Sequence, residues 1–455
     1  MSEPDKQNAK EFFQQGERLY EQGKYKEAVE KYDQAIALDP ENPEYHGDKG
    51  VALFFLEKYG EAIKCCDQAV ALGSKTAAFT YISNKQYIIQ ESGLWEYDSN
   101  FCYLLGKEVG SEDAKKISQQ LKVLWTAQNE VLKTLRVSWD DITEVGYYRS
   151  QSSFEKMISG SEKKLPSMLK LCTVSGANDS LEGKICSKFL EVSHDPTEQE
   201  AMLALQCSFS KRIGDLNQFR LYGKNADKEE GTGVCLVFCE AFFTSRTDDS
   251  ISPISIMRSG LISEKPEEKE TQYPKLPLYW VLYYDHENKW FYHTPDRKEN
   301  QFSLNSEPKE STHSRSTAPH PREALDALKV AYKKCCDDKE EAQAWKLLIY
   351  LRHLVKDAAF RDEQELRMLT LHEFGDVTVK KIDAEKTASP LSTDYHYVLD
   401  QQGSLRKIIA GPKIKGFRRL RDEWLHSIAQ TRSSFKIERG LEQEIKITQS
   451  TVPLA

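Results

Sequence analysis

Residues 205–238 read LQCSFSKRIGDLNQFRLYGKNADKEEGTGVCLVF, and this stretch decides the fold of the larger part of the chain. Its β-branched and aromatic residues, bounded by Gly, Asn and Asp, predict two strands. The first strand ends in a Ser-rich turn at 207–210, and the second spans Gly233–Phe238. Between them, Phe219 and Tyr222 fall on one face of a short helical segment. This order of elements predicts a mixed α/β domain with a central sheet.

The size and composition of the chain limit what it can be. With 455 residues it is too long for one ordinary core, which predicts at least two domains. The formal net charge of −8 argues against a nucleic-acid-binding protein. There is no apolar run of membrane-helix length and no signal-type segment among the first residues. The ten cysteines form no C-x-x-C pair, so we expect reduced thiols, no metal site and a soluble, cytoplasmic protein.

Residues 9–42 and 43–76 repeat one another with a period of about 34 residues. The matched positions are Gly16 and Gly50, Tyr25 and Tyr59, Ala28 and Ala62, and Ala35 and Ala69. Small residues are needed where paired helices touch, and aromatic residues fill the gaps between them. The pattern resembles the tetratricopeptide repeat (TPR), so residues 1–76 are predicted to form an all-α module of two such repeats.

Residues 77–140 have a mostly helical pattern and could hold a degenerate third repeat, but Asn84 stands where Gly16 and Gly50 stood. A helical cap or connector is therefore predicted instead. The TPR resemblance implies a groove that binds a protein partner. Some TPR proteins clamp the carboxylate of a chaperone tail with a Lys and an Asn on the first helix. Here Phe13 and Glu17 occupy those positions, so the partner is not expected to be a chaperone carboxylate tail.

A series of short motifs follows between residues 142 and 439. In order they are YYRS at 147–150, NDSLE at 178–182, SFS at 208–210, F-x-x-Y at 219–222, GVCLVF at 233–238, EQELR at 363–367 and IIAGP at 408–412. This order resembles a large bacterial family of domains of unknown function. The resemblance implies one α+β domain over residues 141–440, followed by a tail at 441–455.

Periodicity and composition predict further elements of this domain. They are a helix over 152–158 capped by Ser152 or Ser153, a hairpin over 277–293, two helices over 324–360, a strand over 361–371, a strand at 408–409, a helix over 417–430 and a strand near 435–437. A surface insertion is predicted at 244–275 and a disordered insertion at 300–321. The last sixteen residues need not be ordered.

Three of the strands carry a series that is similar to one found in ADP-ribosyltransferases. Arg149 lies on the first strand, Ser208 ends the next, and Glu363 and Glu365 lie on one face of a third. The resemblance implies that Arg149 holds the phosphates of NAD and that Ser208 supports the nicotinamide pocket. It implies that Glu365 stabilises the cationic sugar as nicotinamide leaves, with Glu363 at the edge where an acceptor enters.

Tyr148 or Tyr222 is expected to line the same pocket, because nicotinamide stacks well on such rings. NAD is expected as a cofactor only if this transferase interpretation holds. A structural interpretation stands beside it: Glu365 and Arg367 pair with neighbours across the sheet, Ser208 ends a strand, and Arg149 is a surface residue.

The leading interpretation is an intracellular TPR protein that recruits a protein partner to an uncharacterised α+β domain. The alternative is an NAD-dependent, ADP-ribosyltransferase-like enzyme, so enzymatic activity stays an open question at this point. No nucleic acid and no membrane is expected among the partners. The two interpretations differ in whether Arg149, Ser208 and Glu365 come from neighbouring strands and converge on one cleft. Arg149 and Glu365 on opposite sides of the sheet, with no shared cleft, would leave only the binding protein.

Overall fold

The computed structural model describes residues 3–73, 75–161, 164–173, 183–192, 202–224, 228–243, 256–257, 275–293, 301–304, 321–382, 389–399, 403–434 and 445–451. These residues divide into two compact units, the first ending at Asn129 and the second beginning at Glu130. The first unit consists of helical repeats and the second contains mixed sheets with helices, which confirms the predicted α+β class.

Up to residue 135 the chain is helical, with elements in the order α1 (Glu3–Glu21), α2 (Tyr25–Leu38), α3 (Pro43–Phe55), α4 (Tyr59–Leu72), α5 (Lys75–Ser92), a 3₁₀-helix (Trp95–Tyr97), α6 (Ser99–Leu104), α7 (Glu112–Lys115) and α8 (Gln119–Leu135). Each helix from α1 to α4 packs on the next one. The start of α3 is fixed by the Asn42 side chain, which accepts a hydrogen bond from Glu44 N at 3.0 Å, and by Pro43 in the first turn.

Glycine occupies the places where these helices touch most closely. A methyl group on Gly16 would lie 2.5 Å from Cε1 of Tyr32 on α2. A methyl group on Gly50 would lie 3.2 Å from the backbone oxygen of Ala62 and from the thiol of Cys66 on α4. The repeated alanines Ala28, Ala35, Ala62 and Ala69 are fully buried. These contacts explain why small residues recur with the repeat period.

The second unit contains helices and strands in alternation. Its helices are α9 (Gln151–Ile158), α10 (Ile185–Leu190), α11 (Leu216–Tyr222), a 3₁₀-helix (Glu240–Phe242), α12 (Pro321–Asp337), α13 (Glu341–Leu347), α14 (Ile349–Arg352), a second 3₁₀-helix (Ala358–Glu363) and α15 (Phe417–Ser434). Its strands are β1 (Val145–Ser150), β2 (Lys170–Thr173), β3 (Met202–Ser210), β4 (Gly233–Phe238), β5 (Ile256–Met257), β6 (Tyr279–Trp280), β7 (Leu282–Asp285), β8 (Trp290–Tyr292), β9 (Gln301–Phe302), β10 (Val355–Asp357), β11 (Glu365–Glu373), β12 (Lys380–Lys381), β13 (Leu391–Asp394), β14 (Leu405–Ala410) and β15 (Lys446–Gln449).

The large sheet is organised around β3. Its path runs β12-β13-β2-β3-β1-β4-β14-β15, and β11 pairs antiparallel with β3 from end to end. Since β11 occupies one edge of β3, β2 and β1 share the other edge. β2 pairs there at Leu205 and Gln206, whereas β1 pairs only at Ser210. The sheet is therefore split between β1 and β2, beside residues 207–209 of β3.

Both faces of this sheet are covered. The larger core includes Phe154 of α9, Trp424 of α15, and Tyr147 and Leu236 of the sheet. On the other face, Phe219 of α11 packs edge-on against the Tyr148 ring, with a centroid distance of 5.1 Å. The short helix between β3 and β4 thus fixes the position of residues on the face that carries Tyr148.

A smaller sheet has the strand order β10-β7-β8-β9. Strands β7 and β8 form the predicted aromatic hairpin, and the Asp285 side chain accepts hydrogen bonds from the backbone of Glu287 and Asn288 in its turn. Strand β10 runs parallel to β7 and pairs Lys356 with Tyr283. This small sheet matters for the site because Lys356 bonds the carboxylates of Glu363 and Glu365, and the Tyr283 hydroxyl accepts from the backbone N of Glu365.

Several predicted boundaries differ from the structure. The strand that carries Glu365 begins at that residue, because Gln364 has a left-handed backbone (φ 46°) and Glu363 ends the preceding 3₁₀-helix. Glu363 and Glu365 are therefore not neighbours on one strand face, as had been expected. The second helix predicted within 324–360 ends at Arg352, and β10 follows it.

Other corrections concern caps and chain ends. α9 is capped by Ser150, whose hydroxyl accepts from Ser153 N, and not by Ser152 or Ser153. Lys446–Gln449 form a strand parallel to β14, so part of the expected tail is ordered. Gln301–Phe302 pair with β8 although they were placed in a disordered insertion. The motif at 178–182, most of the insertion at 244–275, residues 305–320 and the strand near 435–437 lie outside the described residues.

Candidate active site

A cavity of about 310 Å³ opens at the split between β1 and β2. It is lined by all of the residues that the sequence singled out: Tyr148, Arg149, Ser208, Tyr222, Glu363 and Glu365. The structure thus brings to one place residues that are far apart in the chain.

Arg149 supplies a cation to one wall of the cavity. Its Nε donates a hydrogen bond to the Tyr147 hydroxyl, and its guanidinium lies over the Tyr147 ring at 4.8 Å from the centroid. The thiol of Cys172 is a further hydrogen-bond partner. Among the described residues, no carboxylate pairs with Arg149. A half-buried guanidinium without an acidic partner is suited to bind an anionic group.

Glu365 is held on three sides. Arg367 donates to both carboxylate oxygens, from Nε at 2.7 Å and from Nη2 at 2.9 Å, and Lys356 Nζ lies 3.1 Å from Oε2. The Ser208 hydroxyl donates a further hydrogen bond. Burial alone would raise the pKa of Glu365, but the two cations and these hydrogen bonds outweigh it and hold the pKa at about 2. Glu365 is therefore a fixed anion at neutral pH.

Glu363 is bound at both of its oxygens. Oε1 accepts from the Tyr222 hydroxyl at 2.5 Å, and Oε2 accepts from Lys356 Nζ at 2.6 Å. The Glu363 backbone oxygen accepts from the Ser210 hydroxyl at 2.7 Å. The turn that precedes β11 is thus tied to the end of β3, and this places the two carboxylates on either side of Lys356.

Two serines at the end of β3 have different surroundings. Ser208 is exposed to the cavity and bonds Glu365, whereas Ser210 is buried and its hydroxyl also accepts from Arg212 N at 3.0 Å. Only the first of them is open to a ligand. Ser210 has the structural role of closing the turn.

The two tyrosines are anchored at their hydroxyls. Tyr148 donates to Arg212 O at 2.5 Å and accepts from Asp215 N at 3.0 Å. Tyr222 is more exposed, at 38%, and donates to Glu363. Burial is the main cause that raises the pKa of both hydroxyls above the ordinary value, so both stay protonated. Their rings are consequently held as fixed parts of the cavity wall.

The strand register shows how the residues converge. Gly146 pairs with Ser210, so Tyr148 shares a sheet face with Ser208 and Glu365, while Arg149 lies on the opposite face. An unbroken sheet would separate Arg149 from Glu365. Because β1 and β2 diverge along β3, the cavity at the split is lined from both faces.

The sequence did not point to Lys356 or Tyr283. Both come from the small sheet: Lys356 Nζ bridges Glu363 and Glu365, and the Tyr283 hydroxyl accepts from Glu365 N at 2.9 Å. Val355–Asp357 is a strand of three residues directly after a helical segment, too short to show a period. Arg367 was part of the EQELR motif, but its bidentate bond to Glu365 was not anticipated.

Comparison with known proteins identifies only the N-terminal part. The family model described as TPR repeat matches residues 16–56. No curated protein matches the chain. Repeats of this kind mediate protein–protein interaction, and this is the role that the match at residues 16–56 implies. None of the helices in the described part of the chain is long and apolar enough to cross a membrane.

Proposed function

We propose that the second unit binds NAD in the cavity at the split and cleaves its nicotinamide–ribose bond, as an ADP-ribosyltransferase-like enzyme. The observation that supports this proposal is that Arg149, Ser208, Glu363 and Glu365 line one cavity. Its volume of about 310 Å³ is at the lower end for small-molecule sites. A cavity of this size suits the nicotinamide end of the dinucleotide as far as the diphosphate, with the adenosine outside it.

Each residue has a role that its surroundings support. Arg149, which lacks an acidic partner among the described residues, binds the diphosphate through its planar fork of donors. The C–N glycosidic bond breaks and nicotinamide leaves with the electron pair. Glu365 stays ionised and stabilises the oxocarbenium-like sugar that remains. Tyr148 and Tyr222 provide ring faces for nicotinamide.

NAD binding to the full chain, measured by calorimetry, tests this proposal. Arg149→Gln should weaken binding about tenfold or more, because a hydrogen-bonded charge on the diphosphate is lost. Arg418→Gln, on the exposed face of α15, is the matched control and should bind as the unmodified protein does. Absence of NAD binding, or equal effects of the two changes, would reject the proposal.

A purely structural role for the charged cluster remains the second candidate. The observation that favours it is that Lys356 and Arg367 already neutralise Glu363 and Glu365. In that case the chain is a binding protein, and Ser208→Ala should change neither NAD binding nor the release of nicotinamide. The enzyme proposal instead predicts slower nicotinamide release from Ser208→Ala, since this hydroxyl positions Glu365.

We also propose that the repeats bring a partner with a basic segment to the second unit. Asp48 and Glu44 lie on α3, and Glu17 lies on α1. Burial is the main cause that raises the pKa of Asp48 to about 6, and the negative charges of Glu44 and Glu17 add to it. Among the described residues no cation pairs with these three side chains. A Lys- or Arg-rich peptide should bind the full chain with an affinity that falls as salt is added. Preferential binding of a Glu-rich peptide of equal length would contradict this assignment.

A further inference from the structure

Lys356 occupies the space between the two candidate carboxylates. Its ammonium lies 2.6 Å from Glu363 Oε2 and 3.1 Å from Glu365 Oε2, and 4.7 Å from the Phe360 ring centroid. The residue is 5% exposed, and its strand β10 is fixed by pairing with β7. Lys356 is therefore a fixed part of the cavity and not a surface side chain that can move aside.

Neither carboxylate has an oxygen that lacks a protein donor. Glu363 accepts from Tyr222 and Lys356, and Glu365 accepts from Arg367 at both oxygens. A guanidinium ligand needs a carboxylate that can accept its fork of N–H groups. To reach Glu363, such a ligand would have to displace Lys356 from a buried pair and leave that ammonium uncompensated.

The charges of the cavity also oppose the approach of a guanidinium ligand to Glu363. Its lining residues include three cations, Arg149, Lys356 and Arg367, against the two carboxylates Glu363 and Glu365. The net positive charge attracts the phosphates of a dinucleotide. At the buried position beside Glu363, the ammonium of Lys356 lies 2.6 Å from Oε2 and repels a guanidinium or ammonium ligand that approaches that carboxylate.

We propose that Lys356 determines the acceptor of the reaction by closing the position beside Glu363 to guanidinium and ammonium groups. The acceptor is then a neutral oxygen nucleophile, water or a hydroxyl group. With water, its oxygen bonds to the ribose carbon that nicotinamide leaves, and its proton passes to the Glu363 carboxylate and on to solvent. The products are ADP-ribose, nicotinamide and a proton. This inference rests on the proposed function for its chemistry, but the exclusion of cations does not.

The exclusion is tested without NAD, by titrating the full chain with agmatine, a small guanidinium compound, in a calorimeter. The unmodified protein should not bind it. Lys356→Met removes the ammonium group from the Glu363 carboxylate, and this variant should bind agmatine at least about tenfold more tightly than the unmodified protein. Lys356→Met combined with Glu363→Gln should lose that binding, and Lys356→Arg should keep the exclusion. Lys407→Met, which breaks the surface pair with Glu144, is the matched control and should behave as the unmodified protein.

If Lys356→Met does not fold, Lys356→Gln is the second variant: its neutral amide supports the buried carboxylates without the positive charge, and it should bind agmatine more tightly than the unmodified protein. Agmatine binding to the cavity of the unmodified protein would overturn the inference. So would equal agmatine binding by Lys356→Met and its Glu363→Gln double variant.

Turnover gives a separate readout. With NAD and agmatine together, the unmodified protein should release free ADP-ribose and no ADP-ribosylated agmatine, and Lys356→Met should form that adduct. An adduct formed by the unmodified protein would also overturn the inference. If NAD is not cleaved while the calorimetric pattern holds, the proposed function fails and the role of Lys356 as a barrier to cations stands.

Discussion

Replacing Glu365 with Gln should destabilise the second unit, because it leaves Arg367 and Lys356 without their shared carboxylate. The pKa of Glu365 is about 2 in the fold against 4.5 ordinarily. This difference corresponds to about 3 kcal/mol of folding free energy at neutral pH. Removing one partner of a buried charge pair costs a similar amount, about 3–5 kcal/mol.

The sign of the pH dependence follows from the lowered pKa. The stabilisation is complete above pH 4.5 and is lost as the pH falls towards 2, where the carboxyl binds a proton in both states. The unmodified protein and Glu365→Gln should therefore differ by a constant amount between pH 5 and pH 7, and converge below pH 4.5.

Hydrogen exchange of the β11 amides in increasing urea measures this difference for the second unit alone. Glu144→Gln, which removes a partly exposed pair with Lys407, is the control and should cost about 1 kcal/mol or less. The reasoning is wrong if Glu365→Gln costs no more than this control. It is also wrong if the difference persists unchanged at pH 3. Nicotinamide release by Glu365→Gln should fall about 10²–10³-fold per folded molecule, so the folded fraction must be measured with it.

Three further predictions concern the two units. Gly50→Leu should lower the free energy of unfolding by about 1–3 kcal/mol, because atoms of α4 already occupy the space beside Gly50. Gly60→Ala should not, since its methyl group would meet no atom within 4 Å, and thermal unfolding compares the two variants. Asp48→Asn should raise the melting temperature at pH 7, because the raised pKa of Asp48 means that its ionisation destabilises the folded state. The gain should vanish towards pH 4, where Asp48 of the folded protein is protonated. Removal of residues 441–455 should weaken protection of the β14 amides, since Lys446–Gln449 pair with that strand; unchanged protection would show that β15 contributes nothing.

The sequence predicted those features whose signal lies in residues close together in the chain. Gly16 and Gly50 recur because a side chain there would meet Tyr32 or the backbone of Ala62, so their period reports helix packing directly. Strands β3 and β4 were predictable because their apolar residues lie between glycines and turns. In both cases neighbouring residues carry the signal.

The parts that could not be predicted depend on contacts distant in sequence. Glu363 and Glu365 have strand-like spacing, but the left-handed Gln364 between them breaks the strand, and no periodicity records that. Lys356 contacts two carboxylates that come after it in the chain, one at the end of the 3₁₀-helix and one just beyond it. Its own strand, β10, is held in place by pairing with β7. Strand β15 exists because β14 offers it a parallel edge. Composition alone gives these residues no distinguishing mark.

The pairing of β11 with β3 has a consequence for the order in which the parts of the protein fold during synthesis. Strand β3 receives Glu365 only when β11 pairs with it, and β11 is synthesised long after β1, β2 and the helical repeats. Chains grow from the N-terminus, and domains generally fold in that order. A ribosome-bound chain therefore completes its interaction module while the cavity still lacks both carboxylates. Under the proposed function, binding to a partner can precede activity of the second unit, and a chain truncated before residue 363 would compete for the partner while lacking both carboxylates of the site.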